Sequence, residues 1–251
     1  MFVRRLTADL KEQKWTTIGI ELIIVIIGVF VGTLVANSNQ ERVERHETQQ
    51  MLRDLKPELI SDLQGFAAIR NYYRVTRHYG DTAFAGWAGD PRVSDRDFVI
   101  AAYQASQNTF TGINNSSWAQ IFGSDRFRDV DDAGIREDLG ALMTTDYNVL
   151  EKELFSPYRE HVRQIIPEDV QDAIRAQCGD QRLGTFGTRL PATCSLNIPD
   201  ERFRVAAQAL RSHPELVGEM RWHFAAVATY IGNIDNLEVI SRRLLKRIES
   251  V

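Results

Sequence analysis

The feature that most constrains this chain is an uninterrupted apolar run near its start. The run from Thr17 to Ala36 reads TIGIELIIVIIGVFVGTLVA and contains one ionisable residue, Glu21. A helix that rises about 1.5 Å per residue extends about 30 Å over this run, which matches the hydrocarbon core of a bilayer. We therefore predict a transmembrane helix at 17–36.

Two other interpretations of this run are a cleaved signal peptide and a buried core helix. A signal peptide has a shorter apolar stretch and small residues at its cleavage site, whereas a cut after Ala36 would place Leu34 at the −3 position. A core helix normally has a polar face, which this run lacks. We favour an uncleaved, single-pass signal-anchor.

The charged residues that flank the run predict its orientation, because positive charge concentrates on the cytoplasmic side. They are Arg4, Arg5, Lys11 and Lys14 before the run, and Arg42 and Arg45 among Glu41, Glu44 and Glu47 after it. The excess before the run predicts a cytoplasmic tail at 1–16. The rest of the chain then lies outside the cytoplasm.

The two cysteines agree with this topology. Cys178 and Cys194 enclose the loop CGDQRLGTFGTRLPATC. In an oxidising compartment they can pair and close a loop of about 17 residues, whereas in a reducing one they would be two unrelated thiols. No further Cys or His lies close enough in sequence to complete a metal site. We predict a disulfide.

Four residues within the run share one helix face. Glu21, Gly28, Gly32 and Ala36 are separated by steps of seven or four residues. Gly28 and Gly32 form the small-xxx-small pattern through which two helices approach closely in lipid. A carboxylate in a membrane segment normally faces a partner or water. This face predicts self-association or docking of another membrane protein; the alternative is a monomer whose Glu21 reaches water near the headgroups.

Apolar residues at helical spacing continue through the remaining chain, without convincing period-two strands. We predict an all-α fold in which the transmembrane helix continues into an extracytoplasmic antiparallel helical bundle. A long amphipathic helix occupies 37–79, with a kink or boundary at Pro57, and the remainder of the domain occupies 80–251. Its apolar face is Leu52, Leu55, Leu59, Leu63, Phe66, Ile69 and Tyr73.

The later elements follow from capping and breaking residues. We expect a loop at Gly80–Val93 and a helix from Ser94 to about Ala105, with Ser94 and Asp97 as a capping box. Further helices are expected after Asn114–Ser117, from Asp131 or Asp132 to about Ile166 with a bend at Pro157, from Pro167 to a point before Cys178, from Pro199-Asp200-Glu201, and from Pro214 to Glu249.

The segment ELIIVIIGVFVGTLVANSNQERVER, followed by a helix with LRDLKPELISDL, resembles the DUF6090-type family of bacterial proteins of unknown function. The later stretch NSSWAQIFGSDRFRDVDDAGIREDL is similar to that family's second recurring piece. The resemblance covers under half of the chain and implies a single-pass, mostly helical membrane protein, without supplying an activity or a catalytic residue. We therefore expect the bacterial inner membrane, with the domain in the periplasm.

The residues of common catalytic and binding motifs are missing. The five histidines (His46, His78, His161, His213 and His223) form no metal-ligand spacing, and the acidic run from Asp129 to Asp132 lacks the later ligands of a calcium loop. It fits a helix-capping cluster better. Basic residues are dispersed and the net charge is −4, which excludes a nucleic-acid footprint. We predict no metal, no cofactor and no catalytic residue.

One aromatic group lies near the end of the first long helix. It comprises Tyr72, Tyr73, Tyr79, Phe84 and Trp87, and it fits packing at the end of a bundle better than a ligand pocket.

These patterns together predict a scaffold or interaction protein without enzymatic activity, which oligomerises through its anchor. Its partners would be the lipid bilayer and either a second copy or another inner-membrane protein. One alternative is an accessory or sensor subunit that binds a small ligand or a periplasmic partner. Another is a proton- or ion-handling oligomer built around Glu21.

Overall fold

The computed structural model describes residues 15–110, 125–145, 152, 154–183 and 187–250. Most of these residues are helical, which confirms the predicted class. The α-helices are α1 (Trp15–Asp54), α2 (Lys56–Trp87), α3 (Asp95–Ala105), α4 (Ala133–Thr144), α5 (Pro157–Ile165), α6 (Glu168–Cys178), α7 (Asp200–Arg211) and α8 (Glu215–Glu249). A short 3-10 helix covers Asp125–Asp129.

A small antiparallel hairpin inside the cysteine loop departs from the all-α prediction. Strand β1 (Gln181–Leu183) pairs with β2 (Gly187–Arg189), and Arg182 lies opposite Thr188. Strands of three residues are too short to give a period-two signal, and these are largely exposed, so no buried face marks them in the sequence.

The first two helices follow each other almost without interruption. They separate at Leu55, two residues before Pro57, which has no N–H to donate and therefore cannot complete the preceding helical turn. The boundary predicted at Pro57 is confirmed. The predicted apolar face is confirmed as well, because six of its seven residues are buried and Leu63 is partly buried.

Helices α2 and α8 pack against each other in opposite directions. Near the middle of α2, Arg70 pairs with Asp235 at 2.6 Å and with Glu238, and further along Gly80 meets Phe224. Helix α3 packs on α2, α7 on α3, and both α4 and α5 on α8. The largest fully buried side chains belong to Tyr72, Tyr103, Tyr158, Tyr230, Phe66, Phe98 and Phe203.

The loop predicted to begin at Gly80 is wrong, because α2 continues to Trp87. Its glycines serve close packing: a Cβ at Gly80 would lie 2.4 Å from the Phe224 ring, and one at Gly86 would lie 2.2 Å from the Phe98 ring. The chain turns after the helix, where Gly89 takes a φ of 74°.

The single helix predicted from Asp131 or Asp132 to Ile166 is also wrong. Asp132 caps α4, which ends at Thr144, and Pro157 begins α5 instead of bending a longer helix. The helix starts at Ser94, Pro167, Pro199 and Pro214 are confirmed. The cytoplasmic tail up to residue 14, the short helix after Asn114–Ser117, and residues 146–151 and 153 lie outside the described residues.

Candidate functional site

The apolar part of α1 is not covered by any described part of the chain. Its most apolar 18-residue window is 0% buried, and it belongs to the one described helix that is long and apolar enough to cross a membrane. This exposure argues against a core helix of this fold and is compatible with a membrane anchor. The large side chains that are at least half exposed are Ile20, Leu22, Ile23, Ile24, Val25, Ile26, Ile27, Val29, Phe30, Val31, Leu34 and Val35.

The predicted association face lies on this exposed helix. A Cβ built at Gly28 or at Gly32 would meet nothing within 4 Å, so the backbone is open to a close partner there. Glu21 is half-buried beside its helical neighbours. One polar side chain is satisfied within the helix, since the Thr33 hydroxyl donates to the Phe30 carbonyl oxygen at 2.8 Å.

A polar stretch of α1, residues 37–47, connects the apolar part to the folded domain, and we call it the stalk. Every stalk residue is exposed, and the first buried residue is Thr48. A helix that is polar all round depends on side-chain pairs one turn apart. Gln40 donates to Glu44 at 2.8 Å, and Arg45 pairs with Glu41 at 3.4 Å. The stalk extends about 16 Å at the helical rise.

The end of α8 returns to the level at which α1 enters the domain. There its cations meet the acidic residues of α4 and its cap. Arg243 binds Asp138, which is 1% exposed, and Arg247 approaches Asp132 at 3.6 Å. Asp132 of the acidic run thus caps α4 and also approaches a cation of α8. No metal-binding cluster occurs among the residues that the structure describes.

A groove of about 750 Å³ lies between the end of α2 and the start of α8. Phe84, Trp87, Val217 and Phe224 form its apolar walls, and we call it the basic groove because Arg77 and Arg221 also line it. The Arg77 guanidinium lies 4.9 Å from the centroid of the Phe224 ring. Sequence reasoning missed both arginines, because residues on two distant helices leave no local spacing.

The aromatic group divides between the core and this groove. Tyr72, Tyr73 and Tyr79 are buried, and each hydroxyl donates a hydrogen bond; those of Tyr72 and Tyr73 go to Asp180 at 2.9 Å and to the Thr109 carbonyl at 2.6 Å. Burial raises the pKa of Tyr72, and desolvation beside this hydroxyl also raises the pKa of Asp180, an exposed residue that follows α6. The hydrogen bond between them ties the buried ring of Tyr72 to the end of α6. Phe84 and Trp87 line the basic groove instead.

One histidine is fully buried. His223 Nδ1 lies 2.9 Å from Ser156 Oγ, and burial lowers the pKa of His223 to about 4. The imidazole is therefore neutral near pH 7. Tyr158 packs beside it with ring centroids 5.9 Å apart. Neither Ser156 nor His223 lines the basic groove and both are buried, so we assign this pair to the core.

The two cysteines lie at disulfide distance, with sulfur atoms 1.94 Å and Cα atoms 5.4 Å apart. Cys178 ends α6 and is buried, and its carbonyl oxygen accepts from Gln104 at 2.8 Å. The link connects α6 to the segment beyond the β-hairpin.

Comparison with known proteins adds no assignment. No protein-family model, no curated protein and no solved structure matches this chain.

Proposed function

We propose that this chain is a single-pass membrane protein that acts by interaction, as a scaffold that self-associates through its anchor. The observation that carries the proposal is the apolar helix of residues 18–36, whose surface no described part of the chain covers. Such a surface is stable in lipid or against another protein. The open backbone at Gly28 and Gly32 supports a helix partner on the face that Glu21 shares.

The proposed topology places residues 1–16 in the cytoplasm and the antiparallel helical bundle in the periplasm, across a bacterial inner membrane. The cysteine pair at disulfide distance supports an oxidising compartment. The excess of basic residues before the anchor supports the orientation. A membrane-impermeant reagent should modify an added cysteine in the domain of whole spheroplasts. Modification only after lysis would mean that the domain lies in the cytoplasm, opposite to the proposed orientation.

Replacement of both anchor glycines tests the association face. The double variant Gly28→Leu with Gly32→Leu should reduce dimer crosslinking in bilayers strongly, because the added side chains separate the two backbones. Gly19→Leu is the matched control, since Gly19 lies on the opposite side of the same helix and also has nothing within 4 Å. Equal crosslinking of all three proteins would overturn self-association through this face.

An accessory or sensor subunit is the second candidate function, and the continuous helical path from the anchor through the stalk to the domain favours it. The mass of the full-length protein in native nanodiscs separates the two candidates. A defined homo-oligomer supports the scaffold, whereas a stoichiometric complex with another membrane protein supports the subunit. Loss of function in Glu21→Gln with assembly preserved would instead support a proton- or ion-handling role.

A further inference from the structure

The basic groove combines an apolar body with a cationic end, and its two guanidinium groups are only partly paired with carboxylates. Within the part of the chain that the structure describes, Arg221 forms no hydrogen bond and no ion pair. Arg77 uses its Nε to bind Asp81 at 3.1 Å, which leaves its two terminal nitrogens without a hydrogen bond among the same residues. Among the described residues, none that lines the groove carries a carboxylate. The groove therefore presents guanidinium donors to whatever enters it.

The walls of the groove are held in place by the fold. The Phe224 ring sits against Gly80 and is 7% exposed. The Trp87 ring packs edge-on against Phe98 with centroids 4.9 Å apart, and its Nε1 donates to the Leu210 carbonyl oxygen at 3.1 Å. A preformed apolar wall costs little ordering entropy when a ligand binds. These rings therefore form a fixed surface.

We propose that the basic groove binds an aliphatic monocarboxylate, with its hydrocarbon chain against Phe84, Trp87 and Phe224 and its carboxylate between Arg77 and Arg221. Guanidinium groups form short, charge-assisted hydrogen bonds to carboxylates, which fixes the polar end. The volume of about 750 Å³ lies within the range of small-molecule sites. Charge favours an anion over a cation, and the aromatic walls favour an acid with an apolar body over a small hydrophilic one.

Octanoate is the probe, titrated calorimetrically into full-length protein in phosphatidylcholine nanodiscs, with empty nanodiscs subtracted. Two matched ligands separate the contributions: acetate has the carboxylate without the chain, and octyltrimethylammonium has the chain with the opposite charge. We expect saturable binding of octanoate alone. Equal binding of octyltrimethylammonium would show plain apolar adsorption and overturn the proposal, as would no binding of octanoate.

Two variants locate the binding in the groove. Arg221→Gln removes one exposed guanidinium, and Ala225→Glu adds a carboxylate to the groove from an exposed position, so both changes should leave the core intact. We expect Arg221→Gln to weaken octanoate binding by at least about tenfold, the factor that a lost charge-assisted hydrogen bond produces. Ala225→Glu should weaken it as well, because the added carboxylate repels that of octanoate. Arg204→Gln on α7, whose exposed side chain pairs with Glu201, is the control and should bind normally.

Unchanged octanoate binding in both groove variants would overturn the assignment. The result is independent of the proposed self-association, because dimer crosslinking depends on the anchor glycines and octanoate binding depends on the groove. Failure of one proposal is therefore distinguishable from failure of the other.

Discussion

Arg243 on α8 binds Asp138 on α4 through two nitrogens of its guanidinium group. The Arg243 Nε lies 2.9 Å and 3.1 Å from the two carboxylate oxygens, and Asp138 is 1% exposed. The carboxylate raises the pKa of Arg243, which stays charged. This pair joins α4 to the end of α8, beside the point at which α1 enters the domain.

Removal of Arg243 should lower the stability of the domain more than removal of Asp138. Arg243→Met leaves the buried Asp138 carboxylate with Arg247, 3.8 Å away, as its nearest cation. This costs more than Asp138→Asn, because the Arg243 side chain that remains in that variant can reach water. We expect a lower midpoint of denaturant unfolding for both variants, with the larger shift for Arg243→Met. Arg242→Gln is the control, since its partner Glu238 also binds Arg70. If Arg243→Met and Asp138→Asn unfold at the same denaturant concentration as Arg242→Gln, the pair has no structural role.

The glycines of α2 give a second prediction. A Cβ at Gly86 would lie 2.2 Å from Phe98 Cδ2 and 2.6 Å from its Cγ, atoms near the base of a side chain that is fully buried. Gly86→Ala should therefore destabilise the domain by about 1–3 kcal/mol. Gly218→Ala on α8 is the matched control, because nothing lies within 4 Å of its Cβ position. It should gain up to about 1 kcal/mol from better helix propensity. If Gly86→Ala raises the unfolding midpoint as Gly218→Ala does, the Phe98 ring does not lie against Gly86.

These glycines also show where the sequence was insufficient. Gly80 and Gly86 disfavour a helix locally, so a loop was predicted there, whereas the need for space beside Phe224 and Phe98 depends on two distant helices. Local sequence was sufficient to predict where two helices begin. The Ser94 side chain accepts from the Asp97 N–H, and the Asp132 side chain accepts from the Ile135 N–H, at helix starts that the sequence predicted.

The buried face of α8 divides in the same way. Apolar residues at helical spacing, such as Leu216 and Leu244, predict which side of α8 faces the core, and both are buried. His223 and Ser241 are also buried but were not predicted, because a polar residue enters a core only where the tertiary fold accommodates it. The arginines of the basic groove were missed for a related reason, since only the antiparallel contact of α2 and α8 brings Arg77 near Arg221.

Acid should destabilise the domain through His223. The pKa of this group falls from 6.5 to about 4 on folding, so the unfolded chain binds the extra proton first as the pH falls. The neutral, buried His223 contributes its full share to the free energy of unfolding above about pH 6.5. This share decreases as the pH falls from about 6.5 to about 4, by about 3 kcal/mol in total. His223→Asn keeps a polar group near Ser156 without titrating, so it should flatten the dependence of unfolding free energy on pH in this range. An unchanged slope would mean that another group titrates.

The cysteine link should stabilise the domain through the loop that it closes. Cys178 and Cys194 are 16 residues apart, and a loop of this length predicts about 3 kcal/mol of stabilisation, mainly from restriction of the unfolded chain. Dithiothreitol should therefore lower the unfolding midpoint of the full chain in detergent. The Cys178→Ala, Cys194→Ala double variant should start at that lower midpoint and not respond to the reductant. A wild-type protein that is equally insensitive, with two free thiols by mass, would show that the pair does not bond and would weaken the periplasmic assignment.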